Sequence, residues 1–216
     1  MQKLRIVIAD DHPLLLMGIR EVLERDPNVV VEAAAQSPSE LVDQLERSLP
    51  DVVITDYHMP DDERHGDGIQ FIGFLRRRFA DTKLLVLTML SNPMIVASLY
   101  DAGVSGVVLK QHDMSELSQA LQTLRRGMRY YPPGFKKVRR GDSENPVEQR
   151  IASLTLREFE VIRLFVEGQT VGEISEHLSR SIKTVSTQKI SAMRKLGVES
   201  NQDLVSFCNE HDMFRS

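Results

Sequence analysis

Five short runs of aliphatic residues, each followed by a stretch whose apolar positions have helical spacing, occupy the first 130 residues. The runs are LRIVIAD, VVVEAA, DVVITD, KLLVLTM and SGVVLK. They are apolar along nearly their whole length instead of alternating with polar residues. That pattern is typical of parallel strands covered by helices on both faces. The sequence therefore predicts an α/β domain built on a five-stranded parallel sheet.

Several residues between these runs predict where the helices begin and end. Ser37 is a good N-cap and Pro38 suits the first position of the second helix. Gly103 closes the fourth helix, and the fifth is expected to be capped by Asp113 and to end at Gly127. These signals support strict alternation of strand and helix.

The periodicity is lost over residues 132–152. This stretch holds three prolines, two glycines and many charges, which indicates a linker. Its KKVRR cluster is compatible with a solvated linker and with a nucleic-acid contact. We therefore divide the chain into an N-terminal domain (1–131), a linker (132–152) and a C-terminal domain (153–216).

The C-terminal domain is helical by pattern. Two capping boxes, Thr155 with Glu158 and Thr170 with Glu173, predict the first two helix starts, and Ser181 predicts the third. The expected helices cover about 155–168, 171–178, 182–196 and 202–211. The second and third are joined by a turn of a few residues, which makes a helix-turn-helix.

Composition restricts the class of protein. The chain is 41% apolar and 27% charged, with one cysteine, Cys208, so a disulfide framework is excluded and a reducing cytosol is expected. No run of about 18 apolar residues exists to span a membrane. Asp10 and Asp11 interrupt the first apolar run, so the N-terminus does not resemble a signal peptide. We expect a cytoplasmic protein.

Charge is distributed unevenly between the two halves. Residues 1–131 hold 14 basic and 19 acidic side chains, whereas residues 132–216 hold 13 and 12. Between Arg180 and Lys195 there are five basic residues and no acidic one. This asymmetry indicates different partners for the two halves, with nucleic acid as the candidate for the second.

Polar residues follow four of the predicted strands. Asp10 and Asp11 come after the first, Asp56 after the third, Thr88 after the fourth and Lys110 after the fifth. In an open parallel sheet the carboxyl ends of the strands lie at one edge, where ligands bind. Clustered carboxylates repel one another unless a cation lies among them, and hard oxygen ligands suit Mg²⁺.

This cluster has the groups that phosphoryl transfer requires. A carboxylate beside Mg²⁺ can act as a nucleophile toward a phosphoryl group. The transferred group carries charge on three oxygens and needs cations and donors around it, which Lys110 and Thr88 provide. The pattern therefore predicts an acceptor site that forms an acyl phosphate.

The third helix of the C-terminal domain has two distinct sides. Its inward side holds Val185, Gln188, Ala192 and Leu196. Its outward side holds Lys183, Ser186, Thr187, Ile190 and Arg194, flanked by Lys189 and Lys195. Hydroxyls suit base edges, an apolar side chain suits a thymine methyl group, and cations suit phosphates. This helix is expected to bind double-stranded DNA.

Residues 4–127 resemble the receiver domain of bacterial two-component response regulators, through IADDH, ITDYHMP, VLTM and GVVLK. The resemblance implies a doubly wound sheet with strand order 2-1-3-4-5 and phosphorylation of Asp56. It implies Mg²⁺ ligands at Asp10, Asp11, Asp56 and the backbone carbonyl of His58. It also implies that Thr88 and Lys110 respond to the phosphoryl group.

Two departures from that family pattern bear on function. Many receivers carry an aromatic residue where Val107 stands, so rotation of an aromatic ring coupled to Thr88 is not expected here. The loop after Pro60, DDERHGDG, is longer than the common form. It either gates the site or recognises a phosphodonor, or it is a tolerated surface insertion.

Residues 153–199 resemble the LuxR-type DNA-binding domain, through LTLREFEVIRLFVEGQTVGEIS and SIKTVSTQKISAMRKLGV. The family's often basic or histidine position is Gln188 here, and it is included among the expected DNA contacts. Together the halves resemble NarL/FixJ-type response regulators. Further details, including VVLKQ, resemble a subgroup of capsule and envelope-stress regulators. In that subgroup a second lysine is expected where Ile190 stands.

The resemblance implies a phosphorelay. Asp56 would accept a phosphoryl group from a histidine kinase or phosphotransfer protein, which would promote dimerisation and sequence-specific DNA binding. The chain would act as a homodimer or with an auxiliary LuxR-type regulator. Beyond its own phosphorylation and slow autodephosphorylation, it is not expected to be an enzyme.

Two alternatives stay open. The first is a phosphorylation-independent DNA-binding regulator controlled by heterodimerisation, which Val107 keeps open. The second is a Mg²⁺-dependent aspartyl phosphohydrolase. His58 stands where such an enzyme has its second acid, which counts against it.

Overall fold

The computed structural model describes residues 3–59, 62, 64–89, 93–111, 113–135, 146–211 and 213–214. The chain divides into two compact units. Of the described residues, those within 3–89 and 99–135 form the first unit, and those within 93–98 and 146–214 form the second. Among the described residues, no helix is both long enough and apolar enough to cross a membrane.

A five-stranded parallel sheet forms the centre of the first unit. Its strands are β1 (Leu4–Ala9), β2 (Val29–Ala35), β3 (Val52–Asp56), β4 (Lys83–Thr88) and β5 (Gly106–Leu109). Their order is β2-β1-β3-β4-β5, which confirms the predicted fold class. Successive strands are therefore added on one side of β1 and then on the other, so the strand order switches between β1 and β3. The crevice between the carboxyl ends of these two strands is the expected ligand site.

Five helices alternate with the strands. They are α1 (Pro13–Glu24), α2 (Pro38–Arg47), α3 (Gly68–Arg78), α4 (Pro93–Asp101) and α5 (Ser115–Arg125). Ile6, Ile8 and Ile54 from the sheet pack in one buried cluster with residues of α1 and α5. Every residue of β3 is buried, as its continuous apolar sequence predicts.

The helix ends agree with the sequence except at α5. Ser37 accepts a hydrogen bond from the amide of Glu40, as an N-cap should. Asp113 was expected to cap α5, but Met114 holds the N-cap position. The Asp113 carboxylate still accepts from the Ser115 amide at 2.7 Å, so the side chain satisfies the first turn from one residue further out.

The chain after α5 continues along the sheet edge. The Tyr130 amide donates to the Ser105 carbonyl, and Tyr130 forms a parallel bridge with Gly106. A Cβ on Gly106 would lie 2.7 Å from Leu85 Cδ1 and 3.1 Å from the Tyr130 Cβ, so a larger residue there would require these neighbours to shift. The Tyr100 hydroxyl donates to the Tyr130 carbonyl at 2.5 Å.

The first unit extends past residue 131, where the sequence predicted its end, because aromatic side chains after that point pack against it. The Tyr131 ring lies 4.5 Å from that of Tyr100, and the Phe135 ring lies 5.6 Å from it. The start of the predicted linker is therefore attached to α4. The KKVRR cluster lies outside the described residues.

The second unit is helical. Its helices in the C-terminal part of the chain are α6 (Pro146–Ala152), α7 (Leu156–Val166), α8 (Val171–His177), α9 (Ile182–Leu196) and α10 (Asn201–Glu210). Helix α6 falls within the predicted linker (132–152), so the last seven residues of that segment are helical although the sequence showed no periodicity there. Arg150 of α6 contacts the end of α9, with Nη1 3.5 Å from the Leu196 carbonyl oxygen.

The helix boundaries of this unit follow the predicted caps. Both capping boxes are formed, and Ser181 accepts from the Thr184 amide. Helix α9 ends at Leu196 and is capped by Gly197, whose φ of 71° is left-handed. The last helix begins one residue earlier than expected, because Ser200 and Asp203 form a third capping box.

Candidate functional sites

The carboxyl ends of the strands bring together the polar residues that the sequence singled out. Asp10 follows β1, Asp56 is the last residue of β3, and Lys110 follows β5. Asp10 is fully buried and Asp56 is 5% exposed. Two buried carboxylates at the point where strand order reverses form an acidic pocket, which is what the alternation of strands and aspartates predicted.

Lys110 joins the two buried carboxylates. Its Nζ lies 2.7 Å from Asp10 Oδ2 and 2.7 Å from Asp56 Oδ2. Burial raises the pKa of Asp56 to about 6, against the lowering effect of the Lys110 charge. Burial alone would lower the pKa of Lys110, but the two carboxylates raise it overall. The ammonium is therefore held in its charged form inside the pocket.

The pocket has the donors that a hard cation requires. Ligand atoms of Asp10, Asp11 and His12 lie within 4.8 Å of one another. Asp10 Oδ2 and Asp11 Oδ1 are buried without a well-formed hydrogen bond, although Lys110 Nζ lies 2.7 Å from the first and His12 Nδ1 2.8 Å from the second. Buried carboxylate oxygens that lack a well-formed hydrogen bond are suited to bind Mg²⁺.

Two further residues predicted for the pocket lie close to Asp56. His58 is two positions further along the chain, and Thr88 is at the end of the neighbouring strand β4. The backbone N–H of His58 donates to the Asp56 carboxylate, which lowers the pKa of that group. Thr88 is buried at the end of β4, and its carbonyl accepts from the Lys110 amide at 2.9 Å. Val107 is fully buried in β5, paired with Val86.

The extended loop is tied to the domain at two described points. The Asp62 carboxylate accepts from the Ser39 amide at 2.7 Å and from the Ser39 hydroxyl at 3.0 Å, which joins the loop to α2. Asp67, itself buried, contacts His58 through Oδ2 and Nδ1. Residues 60, 61 and 63 lie outside the described part, and the two interpretations of the loop stay predictions.

Helix α9 presents the outward side that the sequence predicted. Lys183, Thr187, Ile190 and Arg194 are exposed and Ser186 is half-buried. Val185, Ala192 and Leu196 are buried against the domain, and Val185 belongs to a cluster with residues of α7 and α8. The solvent-exposed side of the helix therefore combines hydroxyl groups, one aliphatic side chain and a cation near each end.

Matches to family models cover both units. Residues 6–122 match the response regulator receiver domain, and residues 152–208 match the bacterial regulatory proteins of the luxR family. The receiver match spans more than half of the chain. The chain belongs to the response-regulator family.

Several relatives match this response regulator over nearly its whole length. The transcriptional regulatory protein RcsB of Salmonella typhi is 40% identical over 96% of this chain and 94% of its own. RcsB of Escherichia coli K12 is 39% identical with the same coverage. A putative transcriptional regulator of Pseudomonas aeruginosa is 31% identical over 97% of this chain and 99% of its own.

Solved structures of RcsB proteins have the same fold as this chain over nearly its whole length. Salmonella typhimurium RcsB superposes with a TM-score of 0.79 at 38% identity, covering 97% of this chain and 98% of that one. RcsB from the same serovar, bound to the rprA promoter in the presence of the phosphomimetic BeF₃⁻, gives 0.80 at 37% identity, covering 96% and 99%. This is an RcsB-like response regulator with a receiver domain and a LuxR-type DNA-binding domain. Receiver domains bind Mg²⁺ at the acidic pocket.

Three predicted DNA contacts of this response regulator are engaged within the domain. The Lys189 ammonium lies 4.0 Å from the centre of the Phe165 ring and 2.9 Å from Asn201 Oδ1. Lys195 Nζ lies 2.5 Å from Glu158 Oε2. Gln188 Oε1 accepts from Arg180 at 3.1 Å. Contact of these three with DNA stays a prediction.

Glu158 was assigned only as a capping residue from the sequence. Its carboxylate also accepts from the Ser191 hydroxyl at 2.7 Å and pairs with Lys195, so it joins the start of α7 to α9. Burial opposes this, but these bonds and the Thr155 amide lower the pKa of Glu158 to about 2. The capping box was the available signal, and the long-range partners were not visible in the sequence.

The turn before α9 contains a strained residue. Ser179 has φ of 49°, in the left-handed region that glycine normally occupies. The turn is closed by two backbone bonds, from Ser179 to the Glu176 carbonyl and from Arg180 to that of Ser175. These two bonds form the turn of the helix-turn-helix between α8 and α9.

Proposed function

We propose that this chain is a transcription regulator whose activity depends on phosphorylation of Asp56. A histidine kinase or phosphotransfer protein would supply the phosphoryl group. The observation that carries the proposal is the position of Asp56, a buried carboxylate that ends β3 and lies 2.7 Å from the Lys110 ammonium. A carboxylate that can act as a nucleophile, next to a cation at the ligand-binding edge of the sheet, is suited to accept an anionic phosphoryl group.

The chain's own residues divide the work of the transfer. A carboxylate oxygen of Asp56 attacks phosphorus while the bond from phosphorus to the donor breaks, which gives an acyl phosphate. Lys110 pairs with the added negative charge, and the Thr88 hydroxyl donates to a phosphoryl oxygen. Asp10, Asp11, Asp56 and the backbone carbonyl of His58 are the groups that would hold Mg²⁺. The ion, when bound, supplies charge that offsets the phosphoryl oxygens.

Phosphorylation would favour a dimer that binds DNA. A related RcsB structure is described as two dimers bound to two parallel DNAs, and another as bound to a promoter with BeF₃⁻. In this chain each protomer would place α9 in the major groove, so a near-palindromic operator is expected. The protein would act in the cytoplasm, as a homodimer or with an auxiliary LuxR-type partner.

The test is intact mass spectrometry after incubation with acetyl phosphate and Mg²⁺. The expected result is one phosphoryl adduct on the wild type and none on Asp56→Ala. DNA binding by both proteins is then compared before and after phosphodonor treatment. Stimulation in the wild type alone supports the proposal, whereas equal binding in all four samples counts against a phosphorylation switch.

A second candidate is a regulator that binds DNA without phosphorylation and is controlled by heterodimerisation. Buried Val107 in place of an aromatic residue favours it, because the pocket lacks a ring at that position to report on Thr88. The absence of a phosphoryl adduct together with intact DNA binding would support it. In either case the chain is proposed not to turn over a substrate, which a generic phosphatase assay checks.

A further inference from the structure

The outward side of α9 carries an aliphatic residue at its centre. Ile190 is 64% exposed, yet it lies between the hydroxyl residues and the cations of a helix proposed to bind DNA. Burying an exposed isoleucine against a partner is favourable, because it removes apolar surface from water. Its position makes it the apolar group that would enter the groove.

Thr187, one turn before Ile190, is less polar than its residue type suggests. Its hydroxyl donates to the Lys183 carbonyl at 2.8 Å, so the hydroxyl proton is used inside the helix. Residues three apart lie next to each other on a helix surface. Thr187 and Ile190 therefore form a small surface in which the isoleucine is the largest group.

Free cations bracket this small surface. Lys183 and Arg194 are both exposed, and neither forms an ion pair with another residue in the part of the chain that the structure describes. They are separated by eleven residues, or roughly 16 Å along the helix axis. Lys189 and Lys195 are engaged elsewhere. The charge arrangement suits a polyanion that passes both ends of α9 and contacts its centre.

We propose that Ile190 determines specificity by packing against the 5-methyl group of a thymine in the major groove of the operator. This deepens the proposed function and rests on it. The partner is double-stranded DNA because cations flank the apolar group. In the major groove thymine alone presents a methyl group, whereas the other bases present hydrogen-bonding atoms that an isoleucine cannot satisfy.

The experiment begins with selection from a random-sequence DNA library. The full chain is used, with beryllium fluoride and Mg²⁺ present, beside the variants Ile190→Ala and Ile190→Lys. The wild type is expected to select thymine at one position of each half-site. Ile190→Ala should lose that preference while keeping the rest of the motif. Ile190→Lys should prefer guanine there, because an ammonium donates to guanine O6 and N7.

Deoxyuridine isolates the methyl group. Replacing the selected thymine with deoxyuridine leaves base pairing unchanged and removes only the methyl group. This is expected to weaken wild-type binding about 4-fold, the change in affinity that corresponds to burial of one aliphatic carbon. Binding by Ile190→Ala should not change. Ile182→Ala is the matched control: Ile182 is 59% exposed on the same helix but about 80° around its axis from Ile190. This control should keep the thymine preference and the loss with deoxyuridine.

Three results would overturn the inference while leaving the proposed function intact. These are a selected motif with no thymine that depends on Ile190, equal binding to thymine and deoxyuridine, and an Ile190→Ala variant that keeps the wild-type preference. Failure of the wild type to enrich any sequence would overturn the proposed DNA binding and this inference together. Because Ile190 is exposed, its variants are expected to fold, and thermal unfolding verifies this.

Discussion

The ammonium of Lys110 lies 2.7 Å from the carboxylate of Asp56, deep in the pocket at the carboxyl ends of the strands. It lies equally close to Asp10. In the absence of a metal ion, this lysine is the cation that offsets two buried carboxylates. The charge state of Asp56 therefore depends on burial and on Lys110 in opposite directions.

Removing that charge should raise the pKa of Asp56. Burial already raises it to about 6, and Lys110→Gln removes the cation that limits the rise. We expect the titration midpoint of Asp56, followed by carboxyl ¹³C NMR without Mg²⁺, to move above 6. Lys83→Gln is the control, since Lys83 Nζ donates to the Leu124 carbonyl instead. An unchanged midpoint in Lys110→Gln would contradict the prediction.

Asp56→Asn should stabilise the metal-free protein. The folded-state pKa of about 6 lies above the usual aspartate value of 3.8, so keeping Asp56 ionised costs free energy at neutral pH. The variant is expected to gain about 1–3 kcal/mol at pH 7. The gain is full above pH 6 and shrinks as pH falls toward 3.8, where the wild-type carboxyl is protonated in both states. Urea denaturation in chelator at pH 5 and 7 measures it, and a gain independent of pH would refute the explanation.

Mg²⁺ affinity should fall in acid. The ion requires the ionised carboxylate, and a pKa of about 6 for Asp56 means that protons compete below that pH. We expect the apparent affinity to drop by up to about 10-fold per pH unit below pH 6 and to level off above pH 7. Calorimetric titration with MgCl₂ provides the measurement. A profile that is flat from pH 5 to 8 would exclude Asp56 as a ligand with this pKa.

Lys183 and Lys195 should behave differently although both belong to α9. Lys183→Ala is expected to weaken DNA binding, to lower the salt dependence by about one phosphate contact and to leave stability unchanged. Lys195→Ala should instead lower stability, because Lys195 pairs with buried Glu158. Affinity at several salt concentrations, with thermal unfolding alongside, separates the two. Equal salt slopes for Lys183→Ala and the wild type would remove Lys183 from the proposed interface.

Glu158→Gln should destabilise the C-terminal domain at neutral pH. Burial opposes ionisation, but the bonds from Lys195 and its neighbours lower the pKa of Glu158 to about 2, against the usual glutamate value of 4.5. Its ionised form therefore contributes stability above pH 4.5 that is lost as pH falls toward 2. The expected loss at pH 7 is about 1–3 kcal/mol. The difference in stability between the two proteins should shrink as pH falls from 4.5 through 2, and a gap that stays constant over this range would show that packing is responsible.

The sequence predicted the receiver fold because its signals are local. The strands are continuously apolar, as in β3 (Val52–Asp56), and their order was implied by the family resemblance. The positions of Asp10, Asp56 and Lys110 followed from the rule that parallel strands share one carboxyl edge. Their 2.7 Å contacts agree with that rule.

The features that sequence did not reveal depend on distant partners. Helix α6 has seven residues, too few to show a helical period, and Arg150 within it contacts the end of α9. A helical wheel placed Lys189 and Lys195 beside the DNA side. It did not show that their long side chains reach back to Phe165 and Glu158. Such contacts are fixed by tertiary packing.

The bridge between Gly106 and Tyr130 has a consequence for self-association. Strand β5 is the last strand of the sheet, and an open strand edge is a template for unwanted pairing with other chains. In this protein the edge is only four residues long, and the backbone of Tyr130 already occupies part of it. Close contact with glycine therefore also blocks part of this edge from pairing with another chain.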